Sequence, residues 1–83
     1  SNVWEKSEFG KKLQFNHLPD QCTINIYTLI GDFVASIEHD SNTGYAFWDM
    51  RTKNDQFIAP GVYLFHASTL DGHENTGRFL VIK

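Results

Sequence analysis

The stretch 59–70, APGVYLFHASTL, constrains this chain more than any other. Pro60-Gly61 is strong local punctuation, and Val62, Tyr63, Leu64, Phe65 and Ala67 follow as a run of β-formers with apolar side chains on both alternating faces. A strand with both faces apolar belongs in the middle of something. The chain has 83 residues, so it makes one domain, in which core burial barely exceeds a chain entropy of roughly 1.5 kcal/mol per ordered residue. Seven Phe, three Tyr and two Trp in a composition that is 41% hydrophobic exclude a disordered segment. No apolar run approaches the roughly 18 residues of a membrane-spanning helix.

The rest of the chain supplies partners for that strand. Residues 3–10 are polar apart from Val3, Trp4 and Phe9 and show no period, so 1–11 is expected to be an N-terminal arm, with Trp4 tucked under a sheet edge. Ser1-Asn2 resembles the scar of a removed tag, and the chain is expected to be a fragment cut from a longer one, with the sandwich spanning 12–83. From Lys12 the pattern alternates: Leu13 and Phe15 point one way, Lys12, Gln14 and Asn16 the other. His17-Leu18-Pro19-Asp20 breaks it. In 22–29, Cys22, Ile24 and Ile26 share one face; Gly31-Asp32 makes a turn, and 33–39 returns antiparallel. In that returning strand Phe33, Ala35 and Ile37 share one parity and Val34 holds the other, which predicts a bulge or an edge location.

After the polar loop 40–44, Ala46, Trp48 and Met50 alternate with Tyr45, Phe47 and Asp49, and Trp48 is expected to be the largest contributor to the core. Asn54-Asp55 suits left-handed turn geometry, and Asp71-Gly72 suits a hairpin turn. In 77–83, Phe79 and Val81 stand opposite Leu80 and Ile82. Apolar residues never recur at helical spacing for long. Six or seven short strands between regular turn signals predict an all-β, immunoglobulin-like sandwich of about seven antiparallel strands, with a small closed barrel as the alternative.

Five motifs in succession now carry a resemblance: Ile24-Asn25-Ile26-Tyr27, Gly31-Asp32-Phe33-Val34, Gly44 with Trp48-Asp49, Ala59-Pro60-Gly61-Val62-Tyr63, and Gly77-Arg78-Phe79-Leu80-Val81-Ile82-Lys83. Together they resemble the C-terminal sorting domains of type IX secretion cargo, and, in the same order, the immunoglobulin-like domain of flagellar hook-capping proteins. The resemblance spans 13–83. It implies a non-catalytic address at the end of a larger secreted bacterial protein, read by an outer-membrane secretion translocon as the cargo passes through the periplasm to the cell surface or medium, often with cleavage of the domain after export. On the family's terminal pattern fall Gly61, Tyr63, Gly77, Arg78 and Lys83, which the resemblance marks as recognition residues. The family's usual Pro-Asn-Pro opening is missing, and Asn54-Asp55 stands where Asn-Gly is common.

Other chemistries find little support in the residues. A net charge of -3, from seven basic and ten acidic residues scattered without runs, disfavours a nucleic-acid backbone as partner. The single cysteine, Cys22, excludes an internal disulfide and sits where a buried, inert thiol is expected. His17, His39, His66 and His73 do not match compact zinc spacing even with Cys22 added, and read as surface and cross-strand residues. The loop from Asp40 begins like a calcium loop, but Gly44 arrives one residue early and Arg51 stands where a bidentate Glu is required. Neither a metal nor any other cofactor is expected. None of Ser7, Ser36, Ser41 and Ser68 lies in a nucleophile elbow, and the carboxylates are dispersed over different turns, so no catalytic residues are assigned. The rival function is an accessory module binding carbohydrate or protein beside a secreted enzyme, with Trp4, Tyr27 and Tyr45 as the aromatic platform.

Overall fold

The computed structural model describes the backbone of residues 4–6 and the whole of residues 13–82. Among the described residues seven strands follow in chain order: β1 (Trp4–Lys6), β2 (Leu13–Phe15), β3 (Gln21–Thr28), β4 (Phe33–Asp40), β5 (Ala46–Trp48), β6 (Gly61–Ser68) and β7 (Glu74–Val81). They form two antiparallel sheets, one ordered β1-β2-β5 and the other β4-β3-β6-β7. The architecture is the expected all-β, immunoglobulin-like sandwich. Residues 4–6, which show no period in the sequence, add a strand to the smaller sheet by pairing with β2. The side chain of Trp4 lies outside the described residues.

Alternation decides which face each strand buries. Cys22, Ile24 and Ile26 of β3, Tyr63, Phe65 and Ala67 of β6, and Phe79 and Val81 of β7 all point inward, against Leu13 and Phe15 of β2 and Trp48 of β5. Aromatic rings lock the two layers together. Phe15 meets Phe65 and Phe79 edge-on at 5.5 and 6.3 Å and Trp48 meets Phe79 at 6.1 Å, while within the larger sheet Tyr63 stacks on Phe79 at 5.8 Å. Each such pair adds about 0.5–1.5 kcal/mol beyond its area burial. Trp48 is buried and its Nε1–H donates to the Arg51 carbonyl at 3.2 Å, while the largest side chain sealed below 2% exposure is Phe15.

Strand β6 does lie inside its sheet, between β3 and β7. Only one of its apolar faces is covered, however. Val62 is exposed, and Leu64 and His66 are half-buried on the outer side. The central position expected for this strand holds within its sheet, while its outer face stays open because the second sheet packs on one side only.

The parity break in β4 is a bulge on an edge strand. Ile26 pairs with Ala35 and Tyr27 with Phe33, so Val34 is the extra residue. Both Val34 and Ala35 thereby face the core, and Phe33 swings outward to meet Tyr27 edge-on at 6.0 Å. A strap secures this edge: the backbone N–H of Lys53 donates to the Val34 carbonyl at 2.9 Å. Within the strap, Thr52 Oγ1 accepts from the N–H groups of Asn54 and Gln56 at 3.1 and 3.3 Å, and Asp55 adopts φ 64°, the left-handed geometry foreseen for Asn54-Asp55.

Candidate functional site

The hairpin of β6 and β7 brings four of the five recognition candidates together; Lys83 lies outside the described residues. Eight consecutive pairs join the strands without a register shift, from Gly61 opposite Val81 to Ser68 opposite Glu74. The connecting turn is closed by its own side chains. Thr69 N–H donates to the His73 carbonyl at 2.9 Å, His73 N–H donates to Thr69 Oγ1 at 3.0 Å, and Gly72 takes φ 94°. A hydrogen bond from the Thr69 hydroxyl, helped by nearby His73, holds the Asp71 carboxyl below the usual carboxylate range.

Each candidate has a distinct physical part. Gly61 opens β6 at φ 151°, which an L side chain rarely adopts. Tyr63 is buried, and its hydroxyl donates to the Ala59 carbonyl at 2.7 Å, tying the start of the strand to the Pro60-Gly61 corner. That bond resembles the tyrosine corner of immunoglobulin-like domains. Gly77 faces inward opposite Phe65, where an added Cβ would stand 2.6 Å from the ring. A bare glycine lets the aromatic ring lie across the neighbouring strand. Arg78 alone of the four projects outward into solvent, level with Leu64 and Tyr27 across the sheet.

Beside Arg78 the outer face is mixed. Thr76 and Leu80 are its exposed neighbours along β7, and His66 Nε2 meets Glu74 Oε1 at 2.8 Å across the hairpin. At the same end of the sheet as Leu80, the β3–β4 turn exposes Leu29 and Ile30. Strand β7 closes the order of its sheet, and no described strand pairs beyond it. Its regular register contrasts with the bulged and strapped β4 at the opposite edge.

The remaining candidates are dispersed. His39 is buried, a correction to its reading as a surface residue: it faces the core opposite Cys22, and its Nε2 has no hydrogen-bond partner. His17 and His73 are exposed, while His66 is half-buried. Among the described residues no three His, Cys, Asp or Glu side chains gather where they could hold a metal ion. Loop 40–44 satisfies itself, with Ser41 Oγ and Thr43 Oγ1 2.9 Å apart and Thr43 Oγ1 donating to the Tyr45 carbonyl at 3.1 Å. The thiol of Cys22 is pushed up from its ordinary value by burial and then by the nearby Glu38 carboxylate. Tyr27 and Tyr45 belong to opposite layers, each paired with its own phenylalanine, so they share no platform. Among the described residues no helix is long and apolar enough to cross a membrane.

No signal in the sequence pointed to the Tyr63–Ala59 bond or the Gly77–Phe65 contact, since each depends on a neighbour that only the folded hairpin supplies. Compared with known proteins, the chain matches no protein-family model and no curated protein sequence. Among solved structures it is similar to PorZ, described as an essential bacterial surface component of the type-IX secretion system of Porphyromonas gingivalis. The TM-score is 0.70 at 24% identity, over 86% of this chain and 9% of that one. The likeness is one of fold, and this chain spans under a tenth of PorZ.

Proposed function

We propose that this chain is a non-catalytic sorting domain that directs export and surface attachment of a larger secreted bacterial protein, with a secretion translocon reading its terminal hairpin. The observation that carries the reading is β7: an eight-residue strand of unbroken register, last in its sheet, presenting Thr76, Arg78 and Leu80 outward. Regular edge strands are natural templates for strand addition, in which backbone bonds give affinity and alternate side chains give specificity. The fold shared with a segment of PorZ supports the same assignment. Gly61, Tyr63 and Gly77 shape the hairpin, while Arg78 offers the guanidinium that a carboxylate-bearing partner would read. Lys83 is assigned by the terminal pattern alone. The partners are then the translocon and the cargo domains of the parent chain, and the destination is the cell surface or the medium.

Export of the parent protein, measured by fractionating periplasm, surface and medium, tests this reading. Arg78→Glu, an exposed change that spares the core, should cut export about tenfold, the effect of losing roughly 1.4 kcal/mol of recognition. Deleting residues 77–83 should leave the cargo in the periplasm. Normal export of both variants refutes the assignment, and saturable retention of the domain on a polysaccharide would favour the binding-module alternative. Turnover of any substrate by the isolated domain would refute the non-catalytic reading.

A further inference from the structure

Between the two sheets, at the end carrying the β6–β7 turn, lies a cleft of about 160 Å³. The buried part of its lining is Phe15, Cys22, Ile24, Phe65 and Ala67, and exposed polar side chains, Glu74 and Asn75 among them, form its rim. The cause is local. Ala67 and Cys22 are small, Asn75 stands opposite Ala67 without filling the interior, and β2 ends at Phe15. The sheets therefore meet tightly around Phe79 and part at this end.

We infer that the cleft binds a small, neutral, monocyclic aromatic molecule. Three observations select that chemistry. The volume matches an apolar cavity of about 150 Å³ that stays dry and takes up benzene, and so suits about six to eight non-hydrogen atoms. The buried part of the lining carries no charged side chain and only the weak donor of the Cys22 thiol, so an ion drawn into it would leave behind both its hydration and the polar side chains of the exposed rim, Glu74 among them. Phe15 and Phe65, edge-on at 5.5 Å, offer both a ring face and a ring edge to a third ring. Asn75 at the mouth can accept or donate one hydrogen bond, so phenol should bind more tightly than benzene.

The test is a titration of this 83-residue chain with benzene and then phenol, followed through the methyl resonances of Ile24 and Ala67. Both should shift saturably, with dissociation constants in the millimolar range and phenol the tighter, while the methyls of Ile58 and Val81 stay in place. Ala67→Leu fills the cleft and should abolish the shifts while keeping or raising Tm. Should that variant fail to fold, xenon applied to the unsubstituted chain reads the same two methyls and decides the matter. Shifts that never saturate, that spread evenly over the exposed apolar residues, or that survive in folded Ala67→Leu overturn the inference, as does the absence of a xenon effect at Ile24.

Discussion

Replacing Gly77 by alanine probes the interior of the terminal hairpin and separates its shape from its recognition. A Cβ there would stand 2.6 Å from Cε2 and 2.7 Å from Cζ of Phe65, where ordinary contact begins at 3.4 Å, so the ring must retreat by about 0.8 Å. Its retreat is limited on one side by Phe15, and the free space beside it is the cleft at the β6–β7 end. Phe65 is 5% exposed and meets Phe15, itself 1% exposed, edge-on at 5.5 Å. Overpacking of this kind costs about 1–3 kcal/mol, and removing a glycine from a strand interior returns roughly 0.5–1 kcal/mol. Taking the middle of each range, the balance is a loss of about 1.3 kcal/mol. At about 4–8 °C per kcal/mol for a domain of this size, Tm should fall by several degrees, and the urea midpoint should fall with an unchanged slope. Phe65→Leu supplies the control: the double variant should be less destabilised than the sum of the two singles by more than about 0.5 kcal/mol. A Gly77→Ala protein as stable as the parent, or additive with Phe65→Leu, refutes the steric argument. If the double variant also regains export, Gly77 serves the hairpin's shape and touches no partner.

Other substitutions test the remaining contacts. Tyr63→Phe keeps the stack on Phe79 but removes the bond to Ala59, and should cost about 0.5–1.5 kcal/mol by urea unfolding. Asp55→Val forces a β-branched residue into φ 64° and should cost about 1–2 kcal/mol, whereas Asp55→Gly should be nearly neutral; equal losses would disprove the conformational argument. The folded-state pKa of Cys22 is raised, so the native state holds the thiol proton more tightly than the unfolded chain does. Its contribution to stability is complete below the ordinary thiol value of 9.0 and is lost as pH rises through the higher folded value. The unfolding free energy should therefore decline from about pH 9.0 upward and level off beyond the folded value, and Cys22→Ala should flatten the decline. Native Cys22 should also react with a thiol reagent far more slowly than the unfolded chain, and equal rates would show that it is accessible.

Much of the fold was legible because period-2 alternation follows directly from the pleat: Leu13/Phe15, Cys22/Ile24/Ile26 and Phe79/Val81 all face inward as their spacing requires. The break in that pattern at Val34 carried as much information as the pattern itself, since an extra residue is the only way for Val34 and Ala35 both to face the core. Strand β1 was illegible because three residues are too few to show a period, and its pairing with β2 comes from the partner. The open outer face of β6 was hidden for a similar reason: Val62 and Leu64 are apolar whether or not a second layer covers them. At the candidate site, motif resemblance picked out Gly61, Tyr63, Gly77 and Arg78 without distinguishing their parts. Burial divides them into three that set the hairpin and one that meets solvent.

The unlike edges of the four-stranded sheet have a consequence for valence. A unit whose two edges both accept a strand is divalent and can grow without limit into a fibre. Here β4 is kinked by its bulge and capped by the Lys53 strap, which leaves β7 as the regular side. Under the proposed strand addition at β7 such a unit is monovalent: one added strand, from a partner or from a second copy, would saturate the regular edge, and association through this sheet would end at a one-to-one complex.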